Sequence, residues 1–122
     1  MTAPRDRVEE LTRGMLRKKL FVVLWRAKEG IDLLPVLPDH LQFMIELEKQ
    51  GVLFASGPLA GGLPGDGLSI LRTASLEETK AIAARDPFVA KGLRSFEIRE
   101  WTVMEGSIGL KANFSDQSIE VM

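Results

Sequence analysis

The chain has no cysteine and no tyrosine, a single histidine among 122 residues, and no excess of either charge, since sixteen basic residues stand against seventeen acidic ones. Each shortage removes a class of function. Without cysteine there are no disulfides, thiol nucleophiles or thiolate metal sites. One histidine with no cysteine also argues against a zinc site built from protein ligands alone. A formal net charge of −1 lacks the basic footprint of a nucleic-acid binder or a polybasic membrane anchor. Long apolar runs are missing as well: the longest, Leu20 to Trp25, is far short of the roughly 20 residues that span a bilayer. The opening MTAPRDRVEELTRGMLRKK interleaves charges where a secretory signal needs a continuous apolar stretch, so a cytoplasmic location is expected.

What remains can bury a core. Hydrophobic residues make up 45% of the chain and charged residues 27%, which excludes wholesale disorder and fits one compact domain. Leu20 to Trp25 is rich in β-branched and aromatic residues and has no polar side, so it reads as a strand covered on both faces. From Pro35 to Gln50, Leu37, Leu41, Met44, Ile45 and Leu47 recur at helical spacing, and Gly51 supplies a stop. Val52 to Gly57 reads as a second strand, Pro58 to Gly67 as a glycine-rich loop, and Leu68 to Thr73 as a third strand. Ser75 and Glu78 form a capping-box pattern that opens a second helix to about Arg85, and Asp86-Pro87 ends it. Arg94 to Met104 reads as a last strand, with a bulge near Arg99 or Glu100 reconciling Phe96 and Ile98 on one face with Trp101 and Val103 on the other.

That order is the ferredoxin-like split βαβ arrangement, βαββαβ: an α+β fold with two helices on one face of an antiparallel sheet. The other face is bare, and the apolar first strand requires that face to be covered. A homodimer packed sheet to sheet is the simplest expectation. Outside this core, residues 1–18 show weak helical spacing at Val8, Leu11, Met15 and Leu16. They read as a surface helix or frayed arm, or as an oligomer contact. The tail past Gly106 alternates loosely and fits an added edge strand or a partner-clasping segment. The expected organisation is therefore an extension at 1–18, a domain at 19–104 and a second extension at 105–122.

The short list of groups able to exchange protons near neutral pH makes His40 the leading candidate. Its helical angle falls between Phe43 and Met44, inside the apolar stripe, which on spacing alone suits a packed core residue better than a functional one. Asp86 is the carboxylate expected nearby, because both helices lie on one sheet face and the end of the second can approach the start of the first. Helix termination is the plainer use of Asp86-Pro87. A carboxylate accepting one ring N–H would fix the tautomer and free the other nitrogen as a general base. Ser56, Gly57 and Pro58, where the second strand meets the loop, could hold a polar substrate atom or simply form a turn. Arg26 could pair with an anionic substrate or be a solvated strand-end side chain. The loop glycines match neither a phosphate-binding loop nor a dinucleotide fingerprint. Trp25 and Trp101 suit core or interface positions.

Phe21-Val-Val-Leu, Pro38-Asp-His-Leu41, Ala55-Ser-Gly-Pro-Leu59, Ser75-Leu-Glu-Glu78, Asp86-Pro-Phe-Val-Ala-Lys-Gly-Leu93 and Glu97-Ile-Arg-Glu-Trp101 together resemble the YciI-like (YCII-related) family over about Leu20 to Trp101. The resemblance implies a dimeric α+β barrel of ferredoxin-like subunits. It also implies an active site centred on a histidine and an aspartate, which map onto His40 and Asp86. Some relatives are dehydrochlorinases of aromatic degradation, and the barrel is similar to that of muconolactone isomerases. The expectation is thus a lyase or isomerase type of enzyme needing no cofactor, in which a His40–Asp86 dyad transfers a proton on a small cyclic or aromatic compound. Two rivals are a non-catalytic dimer that binds a small ligand or accompanies a larger enzyme, and an oxygenase of the antibiotic-biosynthesis monooxygenase type on the same barrel.

Overall fold

The computed structural model describes residues 3–122; the first two residues of the expected N-terminal extension lie outside the described residues. The chain divides into two compact units, Lys19–Thr102 and a second made of Val103–Met122 with the described residues through Lys18.

The larger unit is built on a four-stranded sheet in the order β2-β3-β1-β4, with β1 at Lys18–Ala27, β2 at Leu53–Pro58, β3 at Gly67–Leu71 and β4 at Arg94–Val103. Strand β3 pairs antiparallel with both β1 and β2. Three helices complete it, α2 at Leu37–Lys49, α3 at Leu76–Ala84 and the single turn α4 at Pro87–Ala90. Because β1 lies between β3 and β4 and not beside β2, the connections through α2 and α3 cross over the sheet, and the expected ferredoxin-like α+β fold results.

One sheet face carries the core. Val23 and Trp25 of β1, Leu71 of β3, Met44 and Leu47 of α2, and Ile82 and Ala83 of α3 form one buried cluster, with Phe96 and Ile98 of β4 packed against it. Each large apolar side chain buried there contributes about 1.5–3 kcal/mol relative to exposure. Helix α3 begins where its capping residues require: Ser75 Oγ accepts from the Glu78 amide at 3.1 Å, and Glu78 reaches back to the Ala74 amide at 2.9 Å. On the opposite face Val22, Leu24, Leu68 and Ile70 are only half-buried.

The apolar stripe of α2 splits in two. Met44 and Leu47 enter the core, whereas Leu41 and Ile45 stay 50% and 45% exposed. They line a cleft together with Leu53 to Pro58 of β2, whose register shifts between Leu53 and Ala55.

In the smaller unit, α1 spans Pro4–Thr12 and buries no residue. The tail does not add an edge strand to the large sheet. Instead β5, Leu110–Ala112, pairs with β6, Ile119–Val121, as a separate two-stranded sheet. A local turn enforces this: the Asn113 amide donates to Ser118 O, the Ser118 amide donates to Asp116 Oδ1, and Gln117 adopts φ +59°, so the chain returns on itself.

Candidate functional site

The gap between α2 and the β2 edge is a cleft of about 930 Å³. His40 enters it from the first turns of α2, where Pro38 occupies a position that needs no amide donor. Its ring stacks on Phe88 of α4 with centroids 4.6 Å apart and planes 24° from parallel. Nδ1 lies 2.5 Å from Asp86 Oδ1. Nε2 has no hydrogen-bond partner among the described residues, yet it is not sealed from the cleft.

Asp86 occupies the N-cap position of α4, where an aspartate ordinarily accepts an amide hydrogen. Here its side chain makes no cap bond and is fully buried. The carboxylate is turned inward and divided between two partners: Oδ1 meets His40, and Oδ2 accepts from Arg94 NH2 at 3.3 Å. The turn that ends α3 therefore also presents a charged group to the core.

Arg94 opens β4 and is buried on the helix-covered face. Its guanidinium lies between Trp25 and Phe88, 4.6 and 4.8 Å from the ring centroids, and donates to Gly65 O at 3.1 Å. Nε is buried without a partner. Burial lowers this guanidinium's pKa from its ordinary value, and Asp86 pulls it back up. Sequence reasoning missed Arg94, although its alternation with Phe96 and Ile98 placed it on the core face. A cation held against both a carboxylate and two aromatic faces orients Asp86, which meets Nδ1 of His40 and leaves Nε2 as the ring nitrogen without a partner among the described residues.

The glycine-rich loop forms the far wall, organised by Asp66. Asp66 accepts from the Ala27 amide at 3.0 Å and the Leu63 amide at 3.1 Å. Gly65 sits at φ +97°, a conformation that L side chains rarely adopt, and a β-carbon there would also crowd Leu33 and Ala27, so glycine suits this wall of the cleft.

Ser56, Gly57 and Pro58 line the cleft together with His40 and Asp66. Ser56 Oγ is 2.8 Å from Ser69 Oγ, which accepts from Trp25 Nε1 at 2.7 Å. Trp25 is thus both core and cleft wall. Arg26 is not in the cleft: alternating with Trp25, it lies on the other face of the sheet and pairs with Glu97 at 3.4 Å. Among the described residues no group of three or more histidines or carboxylates is disposed to hold a metal. No helix among them is long and apolar enough to cross a membrane.

Comparison with solved structures finds 5-chloro-2-hydroxyhydroquinone dehydrochlorinase from Burkholderia phenoliruptrix AC1100, in complex with 2,5-dihydroxybenzoquinone. It is 23% identical, covers 67% of this chain and 92% of its own, and superposes with a TM-score of 0.52, a likeness of fold. No curated protein matches the sequence. The YCII-related domain matches residues 20–102, the segment that carries the sheet, its helices and the cleft. The chain therefore belongs to the YCII-related family.

Proposed function

We propose that the cleft is the active site of a lyase or isomerase type of enzyme in which His40 transfers a proton on a small cyclic or aromatic compound. The observation that carries this reading is the His40–Asp86 contact. A buried carboxylate, itself anchored by Arg94, accepts the hydrogen of Nδ1, which makes Nε2 an acceptor facing an apolar cleft. Leu41, Ile45 and Phe54 supply apolar surface for a ring, and Ser56 with the backbone near Gly57 supplies hydrogen bonds for an oxygen that gains charge. The likeness of fold to a dehydrochlorinase of a chlorinated hydroquinone supports dehydrochlorination as the specific reaction. Nε2 would take a proton from the ring compound, the released electron pair would form a new double bond, and chloride would leave with its own pair, so that HCl is lost overall. This needs no cofactor.

The reading extends to a homodimer, packed sheet to sheet in the manner of a dimeric α+β barrel. Its support is the half-buried stripe Val22, Leu24, Leu68 and Ile70, which no helix of its own unit covers. Sedimentation should give twice the monomer mass at micromolar protein; a stable monomer would remove the dimer from the account. Chloride release from chlorinated hydroquinones tests the chemistry. His40→Ala and Asp86→Asn should each lower the rate by about 10²–10⁴-fold. Equal rates in wild type and both variants would refute it.

A further inference from the structure

We infer that the cleft selects ring compounds that present a hydroxyl or keto oxygen and carry no carboxylate, sulfonate or phosphate group. We infer also that Trp25 and Ser69 set this preference by fixing the Ser56 hydroxyl as a donor. The inference rests on the reading of the cleft as an active site, but it concerns binding, and it can fail separately.

Its first support is a hydrogen-bond relay with one permitted direction. An indole N–H only donates. Trp25 Nε1 gives its hydrogen to Ser69 Oγ at 2.7 Å, and Ser69 is fully buried. The Ser69 hydroxyl hydrogen then has Ser56 Oγ, at 2.8 Å, as its acceptor. The reverse sense would leave the Ser69 hydrogen buried and unpaired, at a cost that the forward sense avoids. Ser56 Oγ therefore receives from behind, and its own hydrogen points away from Ser69, toward the cleft that Ser56 lines. A ligand meets a donor there, so an acceptor oxygen is preferred.

The second support is charge. Asp32, Glu48 and Asp66 line the cleft, and Arg94 is the one arginine or lysine among the described residues that does. Its guanidinium is already committed to Gly65 O, to Asp86 and to the faces of Trp25 and Phe88. A ligand carboxylate would enter without a free cation to meet it and beside three like charges. Arg26, the other candidate for an anionic group, lies on the far face of the sheet with Glu97.

Calorimetric titration of the full-length protein with two matched pairs tests this: resorcinol against 3,5-dihydroxybenzoate, and hydroquinone against 2,5-dihydroxybenzoate. The phenols should bind at least about tenfold more tightly than their carboxylate counterparts. Ser56→Ala should weaken phenol binding about fivefold. Ser69→Ala and Trp25→Phe should weaken it in the same direction by a smaller factor. Ser69→Ala guards against repacking around the buried Trp25, since it breaks the relay while leaving the indole in place. Carboxylates binding as well as the phenols, phenols failing to bind, or Ser56→Ala binding like wild type would each overturn the inference. If the preference holds while no ring proton is exchanged, the catalytic reading falls and the binding inference stands. If exchange occurs with the preference absent, the reverse is true.

Discussion

Two arginine–carboxylate pairs sit on opposite faces of one sheet, and burial separates their roles. Arg26 and Glu97 meet at 3.4 Å with side chains 64% and 49% exposed, on the face without helices. Arg94 and Asp86 meet at a similar 3.3 Å with side chains 6% and 1% exposed, beneath the helices and beside His40. In water the first pair gains little, because solvation and salt compete with it. The second has given up solvation, so each partner depends on the other and the geometry of both is fixed. Proximity in the fold is nearly equal; only the buried pair can hold an imidazole in one tautomer.

The largest expected effect follows from breaking the buried pair. Asp86→Ala leaves the Arg94 guanidinium buried with Gly65 O and two ring faces, and should cost about 3–5 kcal/mol in chemical denaturation. Removing His40 is different, since Asp86 keeps Arg94. His40→Ala should therefore abolish activity while changing stability by about 1 kcal/mol or less, as expected of a residue kept for function. A loss as large as that of Asp86→Ala would make His40 a packing residue. At the exposed pair, Arg26→Ala should change stability by about 0–1 kcal/mol and leave ligand affinity unaltered, as read by the same denaturation and by titration.

The smallest effect belongs to the other unit. The Ser118 hydroxyl and amide hold the Asp116 carboxyl below its ordinary pKa. A group whose folded pKa is depressed stabilises above its unfolded value, near 3.9, and that contribution is lost as pH falls through the lower folded value. NMR of the Ser118 amide should show the β5–β6 turn unchanged at neutral pH and loosening only below about pH 4. Loosening at neutral pH would contradict it.

How much of this was legible in the sequence depends on the kind of signal each residue leaves. The helical angle of His40, between Phe43 and Met44, pointed it at the core side, and the structure has Met44 buried and Phe43 half-buried. The approach of Asp86 followed from topology, because two helices on one face bring the end of one to the start of the next. Arg94 did not stand out, since a charged residue at a strand start ordinarily faces water. Only its alternation with Phe96 and Ile98 marks it as inward-facing. The same parity separates Arg26 from Trp25 and removes Arg26 from the cleft. The division of the α2 stripe was not legible, because Leu41 and Ile45 carry the same apolar signal as Met44 and Leu47. What parts them is tertiary: Met44 and Leu47 join the core cluster, while Leu41 and Ile45 stay exposed beside the cleft. The self-paired β5–β6 hairpin depends on a left-handed Gln117, a conformation that glutamine does not advertise.

The catalysis proposed for the cleft turns on Nε2 of His40 moving a proton on a bound ring. Incorporation of solvent deuterium into the ring positions of resorcinol, followed by proton NMR with wild type and His40→Ala side by side, tests it most directly. Exchange should depend on the wild-type protein and disappear in the variant while resorcinol still binds. Undiminished exchange in His40→Ala, or no exchange by a wild-type protein that binds the ring, would contradict it.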